Sequence, residues 1–366
     1  MEREICAVIL NRLSIYNGAC IRSLIKQYCS LQALLELPLQ ELTSKITTFF
    51  GGELPIAGSV IEWGEQEVDW CCGKGVEILI KGESGYPPLL NECADAPIML
   101  YYKGNLELQK ERFLSMVGTR LASNYGREMC SRVIQDIVNK GCNPTIVSGL
   151  AYGIDVEAHR AALEYGLNSI AVIPCGIDSI YPTAHRNVAK ELVKHGGIIS
   201  EFPRGVQPLK YNFIRRNRVI AGMSEGVVLV ESRVKGGSML TAELANSYGR
   251  DIFAVPARLT DINSYGANYL ISKNIASIYC NESTIPNALQ WEGVQWSGGV
   301  SFQKDLFTAH VDDKERVLEF ISKSGEESAD EIMEHFNMGL ESVSLILLEL
   351  ELEGKVILKG GFYNLK

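Results

Sequence analysis

From residue 112 to residue 285, short runs rich in β-branched residues alternate with amphipathic stretches, and this alternation leaves few architectures open. The runs are Phe113 to Val117, Thr145 to Val147, Ser169 to Ile173, Gly197 to Ser200, Val227 to Val230, Asp251 to Val255 and Ile275 to Tyr279. Each is largely apolar at successive positions rather than at every second one, so both of its faces must be covered. Such strands, separated by helices, form a parallel sheet with helices on both sides. The expected fold class is α/β, with a doubly wound Rossmann-like parallel sheet core.

In a sheet of this kind ligands bind beyond the carboxyl ends of the strands, where loops enter helix N-termini. Three such loops can be read directly. The first strand runs into Gly118-Thr119-Arg120, the second into Ser148-Gly149, and the fifth into a stretch holding Lys235, Gly237 and Ser238. Small residues let backbone approach a ligand, and free N–H groups at a helix start attract anions, so these loops together describe a phosphate-binding rim.

Between Glu201 and Glu225 lie Arg204, Lys210, Arg215, Arg216 and Arg218 with no acid among them. Phe213, Arg215, Arg216, Asn217 and Arg218 put an aromatic ring and three guanidinium groups within two helical turns. Rings stack on bases and guanidinium forks grip phosphate. The whole chain carries a net charge of −9, which argues against a protein coated with nucleic acid. Residues 112–285 are the exception, with 19 basic against 14 acidic residues, a net +5. About five cationic contacts would give log affinity a slope of roughly −3 to −4 against log salt.

At 366 residues the chain calls for two or three domains. Residues 1–70 show helical spacing and suggest a small helical domain of the helix-hairpin-helix kind. The turn Tyr16-Asn17-Gly18-Ala19 has only one of the two glycines that a DNA-gripping hairpin uses, which suggests a structural or protein-binding role. Residues 71–111 hold two strand candidates around Pro87-Pro88 and read as an extended connector. Residues 286–310 read as a linker. Residues 311–366 show three helices and a terminal hairpin around Gly360-Gly361, a winged helix whose third helix is acidic and therefore suited to protein contact.

Several chemistries are disfavoured. Neither Gly-x-Gly-x-x-Gly after the first strand nor a Walker A loop occurs, so no nucleotide cofactor is expected. Ser148, Asp155 and His159 make a hydrolase set only on paper, because Gly-x-Ser-x-Gly is missing. No catalytic residue is assigned. The ten cysteines are scattered and form no Cys-x-x-Cys, and the five histidines do not cluster, so no metal site is expected. No apolar run spans a membrane, and the acidic start Met1-Glu2-Arg3-Glu4 is unlike a signal peptide, which suggests the cytoplasm.

Taken together these residues resemble the DprA/Smf family, the DNA-processing proteins of bacterial natural transformation. The likeness is carried by Val117-Gly118-Thr119-Arg120, Ser148-Gly149-Leu150-Ala151 with Gly153-Ile154-Asp155, Tyr181-Pro182, Ser200-Glu201-Phe202-Pro203, Phe213 with Arg216-Asn217-Arg218, Gly237-Ser238 and Phe253-Ala254-Val255-Pro256. It implies binding and protection of single-stranded DNA, loading of a RecA-type recombinase, and a homodimer. It also implies a pocket built here from Arg120, Phe213, Arg216, Asn217, Arg218, Lys235, Gly237 and Ser238. Tyr152 departs from the family, standing where many members have Arg. The competing reading is a nucleotide-cleaving or nucleotide-sensing Rossmann protein of the lysine-decarboxylase-like group. Gly236, Gly237 and Glu243 fit that group's motif, whereas Met239 and Leu240 replace its Gly and Thr.

Overall fold

The computed structural model describes residues 2–51, 54, 59–261, 264–291, 311–336, 338–359 and 362–365. The chain divides into two compact units, Met1–Val294 and Gln295–Lys366.

The first unit begins with four helices, α1 (Glu2–Gln27), α2 (Leu31–Leu35), α3 (Leu39–Phe49) and α4 (Val60–Lys74). Helix α1 is broken at Asn17, whose backbone leaves the helical region at φ −142° and ψ 79°. Ile5, Ile9, Leu10 and Leu13 from its first half join one continuous apolar cluster with Leu34, Leu42, Ile46 and Val68. The same cluster takes in Tyr101, Ala171, Ile173 and Ile198 of the sheet, so the helical region and the sheet share a core. Each fully buried aliphatic side chain there contributes about 1.5–3 kcal/mol.

Next come β1 (Glu77–Ile80), α5 (Pro88–Glu92) and β2 (Met99–Gly104). Residues 71–111 are thus not an extended connector. β1 pairs antiparallel with β2, and β2 pairs antiparallel with the Rossmann-like sheet itself. The proline pair does not prevent a helix either, because Pro88 opens α5 at a position whose N–H has no intrahelical partner.

The alternating segment supplies β3 (Phe113–Gly118), α6 (Asn124–Asn139), β4 (Thr145–Ser148), α7 (Ile154–Glu164), β5 (Ser169–Ile173), α8 (Arg186–Lys194), β6 (Gly196–Ser200), α9 (Lys210–Met223), β7 (Gly226–Glu231), α10 (Gly237–Ser247), β8 (Asp251–Ala254), α11 (Tyr265–Ser272) and β9 (Ser277–Ile278). All seven apolar runs are strands. The sheet order is β1-β2-β6-β5-β4-β3-β7-β8-β9, and β3 to β9 pair in parallel. The order reverses at β3, with β4 on one side and β7 on the other. Sheets of this kind receive ligands beyond the carboxyl ends of the strands at such a reversal point. Helix α9 carries the chain from β6 back to β7, passing over β5 and β3, which brings the basic stretch to that reversal point.

The second unit has α13 (Val311–Ser324), α14 (Ala329–Phe336) and α15 (Leu340–Leu352), following a short α12 (Thr284–Ala288) of the first unit. Strands β10 (Glu326–Glu327), β11 (Val356–Lys359) and β12 (Phe362–Leu365) form an antiparallel sheet in the order β10-β12-β11. Val317, Ile321, Ile332, Val343, Leu347 and Val356 make its separate core. This is the expected winged helix. Gly360-Gly361 and nearly all of the expected linker lie outside the described residues.

Candidate nucleic-acid interface

Three loops meet at the reversal point and are tied together by their backbones. The Thr119 N–H donates to the Glu231 carbonyl at 2.6 Å, and the Ile154 N–H donates to the Thr119 carbonyl at 3.2 Å. The Glu231 carboxylate reaches back to accept from the Ser123 N–H at 2.9 Å. Gly153 sits at φ +77°, and a β-carbon on it would lie 2.2 Å from the Thr119 carbonyl oxygen, so only glycine fits. The rim is therefore a packed unit whose geometry the backbone sets.

Arg120 projects from this rim. Its guanidinium carbon lies 4.8 Å from the centre of the Phe213 ring, and Tyr181, after β5, meets Phe213 edge to face at 5.8 Å. Both Arg120 and Tyr181 are exposed, and Lys210 stands exposed one turn before Phe213 on α9. Lys235 is exposed on the β7 loop beside Gly237. Among the described residues Arg120, Lys210 and Lys235 have no carboxylate within ion-pair distance. Asn217 links the two groups, its side-chain amide donating to the Gly237 carbonyl at 3.4 Å.

The other arginines of the stretch are placed differently from the expectation. Arg215 and Arg218 both bind the Glu201 carboxylate, at 2.7 and 2.6 Å, and Glu201 is fully buried. Arg215 also donates to the carbonyls of Ser14 and Ile15 at 3.4 Å, where α1 breaks. The physical reason is helical geometry. Residues three apart share a face, so 215 and 218 lie together while 213, 216 and 217 face the other way. The three guanidinium groups never form one grip, and Arg215 and Arg218 are corrected to structural ion pairs.

Arg216 does point toward the rim but sits beneath it, with its side chain only 5% exposed. Its Nη1 donates to the Val172 carbonyl at 3.2 Å and stands 3.9 Å from an Asp155 oxygen. Burial pushes the Asp155 carboxyl up from its ordinary value and pulls the Arg216 guanidinium down. Asp155 is therefore more than a first-turn acid, since it is the counter-ion of a buried cation. Arg216 acts through the loop above it rather than by touching solvent.

Ser148 and Ser238 are also internal. Ser148 is buried and donates to the Met116 carbonyl at 2.6 Å, and Ser238 donates to the Ser232 hydroxyl at 2.8 Å. Gly149 packs on Arg216, while Gly118 packs on Ile154. These residues shape the loops, and the exposed groups are Arg120, Lys210, Lys235 and Gly237, with Phe213 half-buried between them and Thr119 at the edge. Tyr152 is 51% exposed and meets His185 edge to face at 4.9 Å, a ring where a cation was expected of the family. Tyr181 and Lys210, both named from the sequence but not assigned to the pocket, belong to this surface. Applying the strand-end rule to the loop after β5 would have found the first, and the start of α9 the second.

His159 pairs with Ser169 and not with Ser148 or Asp155. Ser169 donates its hydroxyl to the Ile146 carbonyl, so it accepts from His159 Nδ1 at 2.8 Å, which leaves Nε2 buried and unpartnered. Burial, reinforced by the nearby Arg216 cation, pushes this imidazole down to about 3. It stays neutral and serves the core. No group of three or more metal-ligating side chains occurs among the described residues, and no described helix is long and apolar enough to cross a membrane.

Comparison with known proteins places this arrangement. The family model of DNA recombination-mediator protein A matches residues 77–290, and that of the DprA winged helix domain matches residues 308–361. DNA processing protein DprA of Streptococcus pneumoniae is 43% identical over 188 residues, which are 51% of this chain and 66% of that protein. Protein Smf of Escherichia coli is 35% identical over 285 residues, 77% of this chain and 75% of its own length. The solved structure of the Streptococcus pneumoniae DNA processing protein A aligns with a TM-score of 0.63 at 32% identity, covering 76% of this chain and 96% of that one. That of DNA processing protein A from Helicobacter pylori, described for its single-stranded DNA binding mode, gives 0.52 at 30% identity over 59% and 95%. With one family matched across more than half of its residues and a winged helix of the same family after it, the chain belongs to the DprA/Smf family of DNA recombination-mediator proteins.

Proposed function

We propose that this chain binds single-stranded DNA across the loops after β3, β5 and β7 and the first turn of α9, as a DNA-processing protein of natural transformation. One observation carries the reading. Arg120 lies over the Phe213 ring, with Tyr181 against its edge and, among the described residues, no carboxylate within ion-pair distance, at the strand ends where a Rossmann-like sheet receives ligands. Exposed rings stack on bases of any sequence, and free cations follow the backbone. The family membership supports this role. So does the likeness to the Helicobacter pylori protein, whose structure is described for its single-stranded DNA binding mode.

The finer reading is non-enzymatic: a homodimer in the cytoplasm that protects the strand and delivers it to a RecA-type recombinase. Titrating single- and double-stranded oligonucleotides against the chain tests the first part. Light scattering tests the dimer, and strand-exchange assays with a RecA-type protein test delivery. Arg120→Ala must weaken single-strand binding without lowering thermal stability.

The nucleotide-cleaving alternative has less support, because Met239 and Leu240 occupy the loop positions where that group needs Gly and Thr. Release of free base from nucleoside monophosphates would favour it. A pure scaffold would need every central cation to be internally paired. Arg215, Arg216 and Arg218 are, whereas Arg120, Lys210 and Lys235 are not.

A further inference from the structure

Helix α9 presents a second face to a second cavity. Tyr211, Ile214, Arg215 and Arg218 line one side of a groove of about 870 Å³, whose other walls are the second half of α1, the Lys81-Gly82 turn and the segment from Asn91 to Ile98. The first site lies on the opposite face of the same helix, and the two meet at its exposed first residues, Lys210 and Tyr211.

The groove is electropositive in a chain that is acidic overall. Arg215 and Arg218 share the single Glu201 carboxylate on its floor, so two cations face one anion. Lys81 donates to the Cys93 carbonyl at 2.9 Å and has no carboxylate within ion-pair distance. Burial pulls its amine below the usual lysine range. Arg22 and Lys26 stand exposed on the rim and, among the described residues, have no ion pair. Against these five cations the lining offers two carboxylates, Glu201 and Asp95, and Asp95 already accepts from the Tyr248 hydroxyl at 2.7 Å.

Two rings complete the lining. Tyr16 is 53% exposed and Tyr211 is 64% exposed, on opposite walls. Surplus cations with exposed rings between them are the chemistry that takes up an unpaired strand, because bases stack on the rings while phosphates meet the cations. An acidic peptide would use the cations but not the rings.

We propose that this groove is a second segment of the binding path and receives the phosphodiester backbone of a single strand beyond the nucleotides held at Arg120 and Phe213. The proposal rests on the single-strand reading of the first site. A strand leaving Phe213 crosses the first turn of α9 at Lys210 and enters the groove at Tyr211. The α1–α4 region is then part of the DNA-binding surface, although its overall acidity suggests otherwise.

The test compares labelled oligothymidylates of about 5 and about 20 nucleotides by fluorescence anisotropy. The variants are Arg22→Ala with Lys26→Ala, and Arg120→Ala alone. The double variant alters only exposed side chains without ion pairs, and its melting curve must match the parent's. It is expected to weaken the long oligomer about tenfold and to flatten its salt slope by about 1.4, at 0.7 per phosphate, while leaving the short oligomer unchanged. An unchanged long-oligomer affinity, or an equal loss on both lengths, overturns the groove. Displacement of the long oligomer by polyglutamate as readily as by unlabelled oligomer also overturns it, in favour of an acidic-peptide site. Arg120→Ala is expected to weaken both lengths. If it weakens neither, the reading of the first site fails and with it the groove as a continuation of that path, whereas a loss confined to the double variant on the long oligomer, with Arg120→Ala weakening both lengths, supports the groove.

Discussion

Arg216 lies so close under Gly149 that a β-carbon on the glycine would sit 1.4 Å from its Nη1 atom. The guanidinium is the floor on which the loop after β4 rests, and Asp155 neutralises it from the start of α7. Gly149→Ala must push either the loop or the arginine aside. The expected cost is about 1–3 kcal/mol of stability, read from denaturant unfolding, with weaker oligonucleotide binding because the Gly153 turn packs directly on Thr119 and Arg120.

Removing one member of the Glu201 cluster separates structure from binding. Glu201→Ala leaves the largely buried Arg215 and Arg218 without their shared ion-pair partner and loosens the hold of Arg215 on the α1 carbonyls. A loss of about 3–5 kcal/mol in unfolding free energy is expected. A loss under about 1 kcal/mol would mean that water reaches the cluster.

Phe213→Ala should act in the opposite way. The ring is partly exposed and touches Arg120 and Tyr181 rather than the core. Single-strand affinity is expected to fall by about 1–3 kcal/mol, equally for different base compositions, with stability unchanged within about 0.5 kcal/mol. Strong base dependence in an anisotropy titration would contradict simple stacking.

Acid should weaken the fold through His159. Its imidazole is held down to about 3, whereas an unfolded histidine titrates near 6.5. Between those values the unfolded chain binds a proton that the folded chain refuses, so stability falls with falling pH by up to ~1.4 kcal/mol per unit. Asp155 opposes this, since its raised carboxyl holds a proton in the folded state at pH values where the unfolded carboxyl has lost it. Subtracting the profile of His159→Gln from that of the parent isolates the histidine limb. No difference between pH 6.5 and 5 would show that the ring is hydrated.

Much of the fold was legible because the strands are apolar on both faces, and β3 to β9 fall on the seven runs with small shifts at their ends. The meeting of the strand-end loops was legible for the same reason, since it follows from strand order. Two things were hidden. Pro87-Pro88 suggests an extended connector, although the first position of α5 tolerates proline. The partners of the arginines were hidden because Glu201 and Asp155 are remote in sequence from Arg218 and Arg216, and only the folded chain brings them together. Helical period alone already separates Arg216 from Arg215 and Arg218, and it removes two of the five expected cations.

With those arginines internal, the exposed cations of the first site are three, Arg120, Lys210 and Lys235, instead of the five expected from the sequence. The most direct test is the affinity of a short oligothymidylate measured between about 50 and about 200 mM salt, for the parent and for Arg120→Ala. At about 0.7 per contact, the account predicts a log–log slope of about −2 that shrinks to about −1.4 in the variant, together with weaker binding. A flat salt response in the parent, or a variant that binds as tightly and with the same slope, would contradict it.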